Sequence, residues 1–215
     1  MAEKIIELDF KCVPLDIDYT LNNNYCQTIK YAKWNYLKWK GLCLMKDPMT
    51  LTIYLQLIQD LKPKTILEFG TFDGGGALWM ADMCRSLNLD THVYTYDNNI
   101  ERVKCLDERV TVINLDVTMI DSYTYNNRSF FENLPKPLLI IEDCHVNTFN
   151  ICKSMDKIMK AGDYLVIEDT IDYSKHQEMI KFLENTTDYY VDRFYCDMWG
   201  NNNSWNVNSF LKKVK

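Results

Sequence analysis

The chain has 215 residues, of which 47% are hydrophobic, enough for a sizeable core and too many for a disordered chain. Its formal net charge of −6 has the wrong sign for a phosphate-tracking surface, so nucleic acid is not an expected partner. No stretch approaches the roughly 20 apolar residues of a membrane span. The eight cysteines are scattered without a Cys-x-x-Cys pair, and acids interrupt the opening Met1-Ala2-Glu3-Lys4-Ile5-Ile6-Glu7 where a signal peptide would be apolar. A reducing, cytoplasmic location is expected, with no membrane partner.

In chain order, two helices are expected first, over 25–39 and 48–61. Pro48 suits a first helical turn, with Asp47 as its cap. Short apolar runs at 65–69, 92–96, 110–113, 138–141 and 164–167 then read as strands buried on both faces. Each is followed by a helical pattern, at 76–87, 100–106, 122–133, 148–160 and 175–185. This alternation predicts a parallel sheet with helices on both faces. It stops after the last helix. The stretches 189–195 and 205–214 read as two further strands joined through Gly200-Asn201-Asn202-Asn203-Ser204, a spacing that suits an antiparallel hairpin. The expected class is therefore α/β and Rossmann-like, with a mostly parallel seven-stranded sheet ending in that hairpin.

One segment carries most of the functional information. Ile66-Leu67-Glu68-Phe69-Gly70-Thr71-Phe72-Asp73-Gly74-Gly75-Gly76 is a buried strand, an acid, a tight turn and the start of a helix, and it holds four of the chain's seven glycines. Glycine permits positive φ and close approach of a ligand to the backbone, and open α/β sheets bind ligands beyond the carboxyl ends of their strands. The spacing Gly-x-x-x-Gly-Gly-Gly is not that of a dinucleotide fold, and the lysine of a phosphate-binding P-loop is missing. Glu68 would repel a phosphate but suits a ligand carrying an amino group and a sulfonium. Asp97, closing the second strand of the series, is placed to accept hydrogen bonds from ribose hydroxyls. Asp116 follows the third.

These residues resemble those of class I methyltransferases dependent on S-adenosylmethionine (SAM). The chain is most similar to the cephalosporin hydroxylase-like group, from Trp39-Lys40-Gly41-Leu42 and Lys46-Asp47-Pro48 through to Ile167-Glu168-Asp169-Thr170. Macrolide sugar and catechol O-methyltransferases are more distantly similar. The two leading helices are read as a lid over the active site or as a packing layer, with a helical cover segment expected at 1–47 and a SAM-binding methyltransferase domain at 48–215. The resemblance implies that Glu68, Gly70, Thr71, Gly74 and Gly75 line the methionine end of SAM, with Asp143 beside them. Asp97 would take the ribose and Asp116 the adenine edge. It further implies Mg²⁺ held by Asp143, Glu168 and Asp169. Two departures stand out: Gly76 replaces the serine often found at the helix start, and Val146 stands where catechol-type enzymes have a catalytic lysine.

Leu139-Ile140-Ile141-Glu142-Asp143 and Leu165-Val166-Ile167-Glu168-Asp169 both end a buried strand in Glu-Asp. Neighbouring strands of that kind gather four carboxylates at one edge, which requires a cation or protonation. Hard oxygen ligands select Mg²⁺ or Ca²⁺. An ammonium or guanidinium is the alternative, with Lys175 and Arg193 as candidates. Glu142, one residue before Asp143, is expected on the opposite face of its strand. His145 lies two residues after Asp143 and is the candidate general base. Trp34, Tyr36, Trp39, Trp199 and Trp205 form a candidate aromatic wall. The expected activity is methyl transfer from SAM to a small molecule, as metal-assisted O-methylation. Amine N-methylation and non-catalytic SAM binding stand as alternatives, and a homodimer is compatible with all three.

Overall fold

The computed structural model describes the strand Ile5–Glu7 and residues 37–215. Strand β1 (Ile5–Glu7) is followed by a small hairpin, β2 (Lys38–Trp39) and β3 (Leu42–Cys43), and then by α1 (Pro48–Leu61). The alternating series is β4 (Thr65–Phe69), α2 (Gly75–Ser86), β5 (His92–Asp97), β6 (Val110–Asn114), α3 (Ile120–Asn126), α4 (Arg128–Glu132), β7 (Leu138–Glu142), α5 (Thr148–Asp156), β8 (Tyr164–Ile167) and α6 (Tyr173–Leu183). The chain closes with β9 (Tyr189–Asp192), a short α7 (Arg193–Cys196) and β10 (Phe210–Lys213).

The strand order is β1-β9-β10-β8-β7-β4-β5-β6. From β8 to β6 every pairing is parallel, whereas β10 lies antiparallel between β8 and β9. This is the expected mostly parallel seven-stranded sheet with its C-terminal antiparallel pair, and β1 adds an eighth strand antiparallel to β9. The central strands β4, β7 and β8 are buried at every position, as their mostly apolar sequences require, with Thr65, Glu68 and Glu142 the buried polar positions among them. The helices form two groups, α1 with α2 and α3 with α5 and α6, as expected for layers on the two faces of the sheet.

Helix α1 spans the predicted range. Asp47 caps it, its Oδ1 accepting from the amides of Met49 at 2.9 Å and Thr50 at 3.1 Å. Elsewhere local polar groups override the helical pattern. The run 100–106 makes only a 3-10 turn, Ile100–Arg102, after which the Lys104 amide bonds back to the Asp73 carbonyl at 3.0 Å and Leu106 is left exposed. The stretch 122–133 breaks into α3 and α4 at Asn127, whose side-chain amide donates to the Tyr123 carbonyl. The strand expected over 189–195 stops at Asp192, which accepts from the Phe194 amide and so starts α7. The helix expected over 25–39 lies almost wholly outside the described residues. Its last two positions, and the rest of the described part of segment 1–47, form strands, a turn and coil.

Candidate active site

Backbone ladders carry the predicted acids to one edge of the sheet. The Gly70 amide donates to the Tyr96 carbonyl and the Asp143 amide to the Phe69 carbonyl, both at 2.8 Å, while the Glu168 amide donates to the Glu142 carbonyl at 2.9 Å. Glu68, Asp97, Asp143 and Glu168 therefore emerge from β4, β5, β7 and β8 side by side.

At the Gly-rich turn the glycines make room for protein as well as for any ligand. A Cβ on Gly70 would stand 2.5 Å from the Asp143 carbonyl oxygen, one on Gly74 would stand 2.4 Å from the Cys105 Cβ, and one on Gly75 would stand 2.0 Å from the Cys43 carbonyl oxygen. Gly70 and Gly74 also hold φ of 110° and 94°, the left-handed region that glycine adopts without strain. Gly76 explains its own departure from serine: a Cβ there would lie 2.9 Å from Glu68 Oε1 and 3.3 Å from Lys46 Cε. Asp73 ties the turn to the hairpin, its Oδ2 accepting from the Cys43 amide at 2.8 Å.

Glu68 is buried, and its Oε2 accepts from the Thr95 hydroxyl at 2.7 Å; Thr95 in turn shares a 2.7 Å hydrogen bond with Thr71. Burial pushes the Glu68 carboxyl up to about 7, against the pull of Lys46 and of the Thr95 hydroxyl. Asp97 is buried at the rim. Its Oδ1 accepts from the Asn99 amide at 2.9 Å and its Oδ2 from the Phe72 amide at 3.0 Å. Arg102 reaches over the Phe72 ring to within 3.2 Å of the same Oδ2. Asp116 is exposed and caps the 3-10 turn Val117–Met119, accepting from the Thr118 amide at 2.9 Å and hydroxyl at 2.7 Å. Those bonds draw its carboxyl below the usual range.

The acid corner is built around a lysine that sequence reasoning left without a role. Lys46, in the coil before α1, places Nζ 2.6 Å from Glu168 Oε1 and 3.0 Å from Asp143 Oδ2. The Tyr54 hydroxyl of α1 donates to the same Glu168 oxygen at 2.8 Å. Burial works against the lysine's charge, but Asp143 and Glu168 outweigh it and hold the ammonium well above its ordinary pKa. The proposed substitutes for a metal lie elsewhere. Lys175 stands 3.2 Å from Glu142 Oε2 in a second buried pair, and Arg193 pairs with Asp197 and Asn208. Glu142 thus points away from Asp143, as strand alternation predicts, and burial pushes its carboxyl up to about 7.

Asp169 stands apart from the Lys46 pair. Its backbone is left-handed, with φ 56°, its amide donates to Asn206 Oδ1, and its Oδ2 lies 4.0 Å from Nε2 of the largely exposed His145. Among the described residues, no three His, Cys, Asp or Glu side chains are placed to hold a metal ion. The expected magnesium ligands therefore reach the same edge, but as arranged they do not fit a divalent ion: an ammonium already binds one oxygen of Asp143 and one of Glu168. Trp39 and Trp199 bond to different helices, to Asp82 of α2 and Thr52 of α1, and Trp34 and Tyr36 lie outside the described residues. Beside His145 opens a largely polar cleft of about 600 Å³, lined by Asn147, Thr148, Ser174, Glu178 and Lys181 among others.

Cys84, Cys105, Cys144, Cys152 and Cys196 are free thiols, and no described helix is long and apolar enough to cross a membrane.

Comparison with known proteins identifies the family of the chain. The rhamnosyl O-methyltransferase of Mycobacterium tuberculosis (strain H37Rv) is 29% identical over 157 residues, covering 66% of this chain and 62% of the relative. That of Mycobacterium leprae (strain TN) is 22% identical over 141 residues, covering 64% of this chain. The match thus spans less than two thirds of the length of these relatives. Among solved structures, an apo structure of CmcI superposes with a TM-score of 0.73 at 27% identity, and CmcI with Mg and SAM superposes at 0.71 and 28%. Each match covers 86% of this chain and 79% of the other. An O-methyltransferase from Bacillus cereus in complex with SAH, at 19% identity and a TM-score of 0.52, shares the fold. The family model for rhamnosyl O-methyltransferase/CmcI matches residues 31–213, and the chain belongs to that family.

Proposed function

We propose that this protein transfers the methyl group of SAM to a hydroxyl of a small molecule. The observation that carries the reading is the convergence of Glu68, Asp97 and the Gly-rich turn at one sheet edge, with Asp97 closing β5 at the rim. Glu68 faces the amino and sulfonium end of the cofactor, Asp97 takes the ribose hydroxyls and Asp116 lies toward the adenine. CmcI with SAM and with SAH, and relatives named as O-methyltransferases, support the cofactor and an oxygen acceptor.

The acceptor enters from the polar cleft beside His145. Its oxygen attacks the methyl carbon in line with the sulfonium; an O–C bond forms, the C–S bond breaks, and S-adenosylhomocysteine leaves as a neutral thioether. The acceptor's proton passes to the His145 imidazole, which Asp169 faces. Alignment of the reacting atoms supplies most of the acceleration in such a transfer, and the base contributes the remainder. No step is routed through a metal, because the acid corner as arranged already holds Lys46. The N-terminal segment serves as a cover in this reading, since Lys46 reaches into the site from the stretch just before α1.

Calorimetry with S-adenosylhomocysteine tests the cofactor assignment. The wild-type protein binds it, and a folded Asp97→Asn variant binds it more weakly. No wild-type binding, or equal binding by the variant, overturns the reading.

A further inference from the structure

We infer that Lys46 is the resident cation of the acid corner and stands in the position that the sequence assigns to a divalent ion. The inference rests on the functional reading only in placing the corner beside the cofactor.

Four observations carry it. The Lys46 side chain is 2% exposed, and its ammonium bridges Asp143 and Glu168 at 3.0 Å and 2.6 Å, so it is built into the corner and does not sample it from solvent. Tyr54 donates a second hydrogen bond to the same Glu168 oxygen, so an oxygen that a metal would need is already saturated by donors. Gly76 leaves the space through which the lysine stem passes, 3.3 Å from Lys46 Cε, at the position where the resemblance expects a serine. Asp169, the third expected metal ligand, is aimed toward His145.

Mg²⁺ requires carboxylate oxygens at about 2.0–2.1 Å in near-octahedral array. It cannot take Asp143 Oδ2 and Glu168 Oε1 while an ammonium sits on both. Two cations within one hydrogen-bond length would repel strongly in a dry interior. Metal entry would have to drive Lys46 out of a pocket that α1 and α2 close over it. The ammonium instead neutralises and fixes the Asp143 and Glu168 carboxylates and remains in place through the catalytic cycle. Lys46 is a positioning residue here, acting through those two acids.

The test is Mn²⁺ titration, followed by electron paramagnetic resonance, of the protein saturated with S-adenosylhomocysteine. The wild type shows no stoichiometric Mn²⁺ site, and Glu168→Gln leaves its titration unchanged. Lys46→Met, which exposes the acids to one another, gains a single site about tenfold or more tighter than any weak wild-type binding. Its melting temperature rises with added Mg²⁺, whereas Lys46→Arg gains neither property. A wild-type site that Glu168→Gln abolishes overturns the inference, and so does a folded Lys46→Met protein that gains no site. If Lys46→Met does not fold, the wild-type and Glu168→Gln titrations decide alone. Calorimetry with S-adenosylhomocysteine on the same samples keeps the two readings separate: its failure sinks the methyltransferase assignment, whereas a Mn²⁺ site in the wild type sinks only the role of Lys46.

Discussion

Gly75→Ala distinguishes a glycine kept for protein packing from one kept for a ligand. In a helix, replacing Gly with Ala normally gains up to about 1 kcal/mol, and burying the added methyl gains about 0.8 kcal/mol more. Here the new Cβ would stand 2.0 Å from the Cys43 carbonyl oxygen and 2.6 Å from its carbon. Ordinary carbon–oxygen contacts lie at about 3.3–3.6 Å, so hairpin β2–β3 must retreat by more than an ångström. The obstacle is backbone, which cannot swing aside as a side chain does. Overpacking of this kind costs about 1–3 kcal/mol. Retreat also breaks the Cys43 amide bond to Asp73, 2.8 Å in the wild type and worth about 1 kcal/mol. With the propensity gain muted in the first helical turn, net destabilisation of about 2 kcal/mol is expected, a fall in melting temperature of about 4–8 °C for a chain of this size. The assay is thermal unfolding beside calorimetry with S-adenosylhomocysteine. An unchanged or raised melting temperature with cofactor binding abolished refutes the reasoning and returns Gly75 to the ligand.

Asp97→Asn removes a charge-assisted acceptor and weakens S-adenosylhomocysteine binding about 10- to 100-fold in calorimetry. Arg102→Ala, which frees the same carboxylate of its guanidinium, leaves that affinity unchanged or strengthens it slightly. His145→Ala keeps cofactor affinity and lowers turnover with a methyl acceptor by about 10²–10⁴-fold; turnover that survives moves the base elsewhere. Glu68 is raised from 4.5 to about 7 in the folded protein, so the native state holds its proton more tightly than the unfolded chain does. The stability this contributes is complete below about pH 4.5 and is lost as pH rises through about 7. Glu68→Gln therefore flattens the pH dependence of the melting temperature across that window in ligand-free protein, and a slope identical to wild type counts against the assignment.

The elements read most accurately from the sequence are those whose signal is local and unopposed. Strand β8 is a uniform apolar run, β4 is apolar at Ile66, Leu67 and Phe69, and α1 carries both a proline at its start and a capping aspartate. Misreadings arose where a side chain bonded to nearby backbone instead of following the periodicity, as at Asn127 and Asp192. The site was legible in its acids, because strand ends declare themselves and parallel register brings them together. Lys46 was not. Its partners lie 97 and 122 residues further along the chain, and a single lysine in a coil carries no pattern. The only available hint was its place in the Lys46-Asp47-Pro48 stretch shared with the resembling group. The Gly-rich turn was read as a place where a ligand approaches the backbone; in the structure it is protein that approaches Gly70, Gly74 and Gly75, the hairpin before α1 among it.

These contacts bear on how the proposed site would meet a cationic cofactor. Glu68, Asp143 and Glu168 are three carboxylates gathered against one ammonium, and burial raises the Glu68 and Glu168 carboxyls well above the ordinary range. Once those carboxyls ionise, as pH rises through about 7 for Glu68 and about 8 for Glu168, such a corner is under-neutralised. It gains most from a ligand that brings positive charge without a hydration shell to strip, which describes a sulfonium better than a small hard ion. After transfer the sulfonium has become a neutral thioether, and that gain disappears. On the proposed function, the same electrostatics that would draw SAM in would loosen its product, while Lys46 holds the Asp143 and Glu168 carboxylates fixed.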